Sequence, residues 1–340
     1  MVVRNWQRIF GSFLFLQTVS LRRFHSTTAP ALGLASAFSV QTRSNMKFIY
    51  AFDFDGVLVD SAAELGLSGY DAAKILFPGA PWLTRRLRRP DQLEGLIQDF
   101  CKVRPCLETG WEAPLLLKLL TDDNMPIERI LSEFQHGLRD EVMEELNVSK
   151  EQCNEALKKA RNDWIESDKN GQDWLEAHGF YEGACDAVRK LLEQPGKSED
   201  VYVITTKAAD FTRRLLEQQR LFGKDAPGGG VSKEKIFGLG SPPKEKVLAS
   251  ILEERGEGWG AVFVEDRLLT LDKAMSDVAV SKKVLPVVAS WGYNTEEQRD
   301  GGRKAGYVVL SKEESSDLAT VLKDEAAEKL LEELNAKALS

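Results

Sequence analysis

The sequence predicts an α/β protein: a doubly wound, parallel β-sheet core interrupted after its first strand by an all-helical domain. Three observations carry this. Short, wholly apolar runs occur once near residue 50 and then repeatedly beyond residue 200, as the strands of a sheet buried on both faces do. Helical stretches alternate with the later runs, the order that gives a parallel sheet with helices on either side. Between the first run and the second, residues 61–193 space their apolar side chains by three and four, and the stretch is too long for a crossover.

Taken in order, the first strand is Phe48-Ile49-Tyr50-Ala51-Phe52, ending in acid and glycine. The helical stretch follows. Leu115-Leu116-Leu117 with Leu119-Leu120, Ile130-Leu131-Phe134-Leu138 and Cys153-Leu157-Ala160-Trp164 mark its apolar faces, and Pro78, Pro81, Pro90, Pro105, Pro114 and Pro126 divide it into several helices. Its tryptophans Trp111, Trp164 and Trp174 are expected to pack between helices. Strands return at Val201–Ile204, Ala261–Val264, Leu285–Val288 and Tyr307–Leu310, with helices over 209–219 and 244–254. Pro227-Gly228-Gly229-Gly230 reads as a flexible surface loop, and the Glu/Lys-rich tail from Ser311 as a solvated helix. The organisation expected is a leader over 1–46, a core from 47–60 and 185–315, a helical insert over 61–184 and a terminal helix over 316–340.

Charge is unevenly placed. The net charge is −8, yet the first 52 residues hold no Asp or Glu and carry Arg4, Arg8, Arg22, Arg23, Arg43 and Lys47. Without those six cations the body stands at −8 − 6 = −14, which argues against binding nucleic acid, where Lys and Arg must meet the phosphates. Small anions remain open as ligands, because they answer to local fields. The acid-free, Arg/Ser/Thr-rich leader reads as an organellar transit peptide. Arg22-Arg23-Phe24-His25-Ser26-Thr27 resembles a mitochondrial processing site, and Ala35-Ser36-Ala37-Phe38 an algal plastid-targeting motif. The mitochondrion is favoured and the plastid stays open. No apolar run is long enough to span a bilayer. Cys101, Cys106, Cys153 and Cys185 lack zinc spacing and read as reduced thiols, and the three histidines are scattered.

In an open parallel sheet, ligands sit at the carboxyl ends of the strands, so the residues standing there matter most. The first strand ends in Asp53 and Asp55, the second in Thr205, Thr206 and Lys207, and the third in Glu265, Asp266 and Arg267. Lys244 opens the helix after Gly240-Ser241-Pro242-Pro243. A strand-end carboxylate can attack phosphorus, and a second one can protonate the leaving oxygen and deprotonate water. Converging acids need a cation, and all-oxygen ligation suits Mg²⁺. A threonine hydroxyl and a lysine ammonium can hold the other phosphoryl oxygens. Plainer readings stand beside these: Thr205 as a helix cap, Lys246 as a rival to Lys244, and Lys207 and Arg267 as surface charge.

Asp53-Phe54-Asp55-Gly56-Val57-Leu58-Val59-Asp60-Ser61 resembles the first motif of the haloacid dehalogenase superfamily, in its phosphatase branch. Thr205, Lys244 and Asp266 resemble its second, third and fourth motifs, in order. Phe180-Tyr181-Glu182-Gly183 and Ser290-Trp291-Gly292-Tyr293 are similar to two of its connecting segments. The resemblance covers residues 47–310 and implies a Rossmann-like core with a C1 helical cap. It implies Asp53 as nucleophile and metal ligand, and Asp55 as acid/base that binds metal through its carbonyl. Asp266 would bind the metal, and Thr205 and Lys244 the phosphate, with Thr206 a further candidate for substrate contact. The fourth motif departs from the commonest form, since Thr270 stands where many members have an acid; Glu265 or Asp272 is the expected substitute. Val103-Arg104-Pro105-Cys106-Leu107-Glu108-Thr109-Gly110 resembles a plant and algal subgroup, and phosphoglycolate phosphatase is a more distant likeness. The expected activity is Mg²⁺-dependent hydrolysis of a small phosphorylated metabolite, 2-phosphoglycolate among them, with no nucleic-acid or membrane partner. A dehalogenase would use the same nucleophile without metal but needs no acid at Asp55. A non-catalytic member using its cap for protein contacts is the other alternative.

Overall fold

The computed structural model describes residues 46–85, 90–122, 124–167, 171–311 and 318–338. The expected targeting motifs lie outside the described residues. Eight strands are present among these: β1 (Lys47–Phe52), β2 (Val59–Asp60), β3 (Gly179–Phe180), β4 (Val201–Ile204), β5 (Ile236–Phe237), β6 (Trp259–Glu265), β7 (Val284–Ala289) and β8 (Val308–Leu310). Six of them form one sheet in the order β5-β4-β1-β6-β7-β8, and every neighbouring pair is parallel. The chain starts in the middle, builds outward through β4 and β5, then returns to the other side of β1 for β6, β7 and β8. The direction of winding therefore reverses beside β1, which is where such sheets open a crevice at the strand ends.

Side chains alternate along β1 as the pleat requires. Phe48, Tyr50 and Phe52 enter the core on one face, and Ile49 and Ala51 the core on the other. The first face is covered by the helices Glu182–Leu192, Ala209–Gln218 and Asp324–Ala338, the second by Lys244–Arg255 and Leu268–Ser276. The C-terminal helix is thus more than solvated. Ala327 and Leu331 are buried in the first core, and Asp324 accepts from Lys197 Nζ at 2.9 Å and from the Tyr50 hydroxyl. Pro227–Gly229 closes a 3-10 turn.

The insert is helical throughout its described length from Ala62–Leu76 to Gln172–Glu176. It has its own core, in which Leu65, Phe100, Leu116, Ile130, Phe134 and Leu157 are buried together. Trp174 is fully buried and Trp111 nearly so, as packing residues. The Trp174 indole N–H also donates to Glu64 at 3.0 Å. Glu64 is itself buried, and Arg161 meets it with two bonds of 2.8 and 2.7 Å while Ser68 Oγ donates at 2.6 Å. A fully hydrogen-bonded carboxylate of this kind is tolerated in an interior. β2 and β3 pair antiparallel, Val59 with Phe180 and Asp60 with Gly179, at the two points where the chain leaves the sheet and returns to it. No helix among the described residues is long and apolar enough to cross a membrane.

Candidate active site

Asp53 follows β1 directly, and its N–H donates to the Val264 carbonyl of β6 at 2.8 Å. The chain then turns sharply. The N–H groups of Val57, Leu58 and Val59 all point to the Phe54 carbonyl, at 3.3, 3.0 and 3.0 Å. Gly56 makes the turn possible with φ +88°, and a Cβ there would stand 2.0 Å from Asp266 Oδ2. Gly292 faces it, where a Cβ would stand 2.3 Å from the Gly56 carbonyl oxygen and 2.4 Å from the Asp266 Cβ. Two backbones therefore close on Asp266 because neither carries a side chain. The same loop is braced by Trp291 Nε1, donating to the Val57 carbonyl at 3.1 Å, and by the Tyr293 hydroxyl. That hydroxyl donates to Asp60 Oδ1 at 2.9 Å and accepts the Ser61 N–H at 2.7 Å.

Two charge groups result. In the first, Lys244 Nζ lies 2.8 Å from Asp53 Oδ1 and 2.7 Å from Glu265 Oε2. One carboxylate oxygen each of Asp53, Glu265 and Asp266 lies within 4.8 Å of the others. Asp266 Oδ2 accepts the Tyr293 N–H at 2.6 Å, while its Oδ1 is buried with no partner. Burial, with Glu265 beside it, pushes the Asp53 carboxyl up to about 7 against the pull of Lys244. Burial and the nearby Asp53 push Asp266 up to about 6, and burial also raises Glu265. Three buried acids with one orphaned oxygen and one ammonium among them fit a divalent cation held by oxygen ligands.

In the second group, Lys207 Nζ lies 3.0 Å from Asp55 Oδ1. Burial opposes the charge on Asp55, but Lys207, a Ser61 hydrogen bond and Arg104 outweigh it, so this carboxyl stays below its ordinary range. Lys207 is only 5% exposed, so the expectation of a surface charge is corrected: it is the counter-ion of Asp55. Thr205 is buried, and its Oγ1 accepts the Lys207 N–H at 3.1 Å. It does not cap the next helix, which starts from Ala208 without a side-chain cap. Thr206 faces solvent and is not brought into this group.

The rival residues fall away. Lys246 is exposed and pairs with Asp277 at 2.7 Å. Asp272 is exposed and accepts from the Tyr307 hydroxyl at 2.8 Å, leaving Glu265 as the acid beside Asp266. Arg267 is not free surface charge either, since its Nη1 donates to the carbonyls of Pro105, at 3.3 Å, and Leu107. All four cysteines are free thiols. His178 is buried against Glu64, its ring 4.6 Å from that of Trp174, and takes no part in either group. The bracing by Tyr293 and the pairing by Lys207 were not visible in the sequence.

No family model matches the chain, and no curated protein matches it. Among solved structures, the chain is similar to a haloacid dehalogenase-like family hydrolase from Streptococcus pneumoniae, at 13% identity and TM-score 0.42, over 79% of this chain and 94% of that one. It is similar to a predicted phosphatase from Clostridium acetobutylicum, at 16% identity and TM-score 0.44, over 81% and 100%. It is also similar to a predicted phosphoglycolate phosphatase from Haemophilus somnus, at 14% identity and TM-score 0.46, over 82% and 99%. What the site can do therefore rests on its own side chains.

Proposed function

We propose that the chain is a Mg²⁺-dependent phosphatase that hydrolyses a small organic phosphomonoester, with Asp53 as nucleophile and Asp55 as acid/base. The observation that supports this most is the separation of two neighbouring carboxylates. Asp53 shares its space with Lys244, Glu265 and Asp266, whereas Asp55, two residues on, has a cation of its own in Lys207. Covalent phosphoryl transfer needs one carboxylate that bonds to phosphorus and another that handles protons.

An Asp53 oxygen forms the bond to phosphorus as the ester oxygen departs with a proton from Asp55, which enters this step as the carboxylic acid and leaves it ionised. Water then attacks the aspartyl-phosphate, giving its proton to Asp55 and regenerating the Asp53 carboxylate. The Lys244 ammonium and the Thr205 hydroxyl hold the non-bridging oxygens meanwhile. Asp53, Asp266 and the Asp55 carbonyl would hold Mg²⁺, with Glu265 beside them. The ion supplies charge neutralisation and in-line orientation of the phosphoryl group when bound. The motif resemblance makes 2-phosphoglycolate the first ester to try.

The test is a hydrolysis screen with the purified full chain. The expected outcome is release of phosphate from p-nitrophenyl phosphate and at least one phosphorylated metabolite with Mg²⁺, and none after chelation. Failure to hydrolyse any phosphate ester with Mg²⁺ present removes the reading.

A further inference from the structure

Arg104 is only 8% exposed, yet among the described residues its guanidinium forms no ion pair. Its Nη1 reaches the Leu107 carbonyl at 3.4 Å, and its buried Nε has no partner. A buried cation that makes no direct ion pair keeps donors that an entering anion can satisfy.

The position of this group is informative. The guanidinium carbon lies 4.0 Å from the centroid of the Tyr293 ring, and the Tyr293 N–H holds Asp266. The turn that carries it is fastened from three sides. Arg267, the residue after Asp266, donates to the Pro105 and Leu107 carbonyls. Gln135 Nε2 donates to the Cys106 carbonyl at 2.9 Å. Glu112 Oε2 accepts the N–H groups of Glu108 and Thr109 at 2.7 and 2.9 Å. Arg104 is thus a rigidly presented donor beside the strand ends. Stacking on Tyr293 covers one face of its plane, Nη1 is turned to Leu107 and Nε is buried, which leaves Nη2 as the donor for a ligand.

We infer that Arg104 selects the substrate, receiving the carboxylate of a phosphorylated organic acid whose phosphoryl group lies at Asp53. This deepens the phosphatase reading and rests on it for the location of the phosphoryl group. A planar carboxylate matches the in-plane donors of a guanidinium edge. A neutral tail leaves those donors buried and unpaired, which penalises the wrong ligand more than a lost contact would.

The test uses two ligands that cannot be hydrolysed and differ only in the carboxylate: 3-phosphonopropanoate and propylphosphonate. Each is titrated calorimetrically into the full chain with Mg²⁺ present. The unmutated chain is expected to prefer the carboxylated ligand by roughly a hundredfold or more. Arg104→Met collapses that ratio towards one. Arg104→Lys, which keeps the charge and the fold but not the fork, retains an intermediate ratio. A ratio near one in the unmutated chain, an undiminished ratio in either variant, or binding of neither phosphonate overturns the inference. Ester hydrolysis without this preference would sink Arg104's role and leave the phosphatase reading standing.

Discussion

Asp53 and Asp55 stand two residues apart on one loop, and their surroundings drive them in opposite directions. Burial among acids raises Asp53 to about 7, while Lys207 and its neighbours keep Asp55 ionised. An ionised Asp55 is suited to taking the proton of the attacking water, so its loss should be felt most in the second half of the reaction. Asp55→Asn is expected to slow turnover by roughly 10²–10⁴-fold. With p-nitrophenyl phosphate, whose leaving group needs no proton, it should still give a burst of p-nitrophenolate as phosphoenzyme accumulates. Rapid-mixing kinetics reads this directly, and slowed turnover without a burst would contradict the role of Asp55 in the second half. Asp53, Asp55 and Asp266 were legible in the sequence because each ends an apolar run. Lys207 was not, since a lysine in a loop gives no sign of folding inward onto a carboxylate.

At the scale of elements, the loops after β1 and β7 are held together by the absence of side chains. Gly292→Ala would set a Cβ 2.3 Å from a backbone oxygen, and neither backbone can yield without moving Asp266. The expected cost is about 1–3 kcal/mol of stability, with a loss of Mg²⁺ binding that a remote substitution would not cause. Gly95→Ala is the control. It lies within the helix Pro90–Val103 and has nothing within 4 Å of its Cβ position, so it should stabilise by up to about 1 kcal/mol. Thermal denaturation ranks both, and equal melting points would contradict the crowding at Gly292. The long strands and helices could be read from periodicity. β2, β3 and β5 could not, because two residues carry no period. Ala327 and Leu331 lie in a tail rich in Glu and Lys, whose Leu and Ala residues nonetheless recur at helical spacing.

For the whole molecule, the carboxylate cluster links stability to pH and to cation. Asp53 at about 7 and Asp266 at about 6 have folded values above their unfolded ones. Their contribution is full below the ordinary carboxyl range and is lost as pH rises through those values. Buried His178, pushed down to about 4, acts in the opposite sense, its contribution being lost as pH falls through that value. A cation that replaces the protons cancels the first effect and leaves His178 untouched. The rise in melting temperature on adding Mg²⁺ should therefore be larger at about pH 8 than at about pH 5.5. Equal rises at both would exclude the cluster as the ion's site.

If Asp53 is the nucleophile, the rate of p-nitrophenyl phosphate hydrolysis with saturating Mg²⁺ depends on its carboxylate. The full chain is compared with Asp53→Asn, and circular dichroism establishes that both are folded. Measurable turnover is expected of the unmutated chain, with a loss of roughly 10³-fold or more in the variant. Turnover of comparable rate in folded Asp53→Asn would contradict that role.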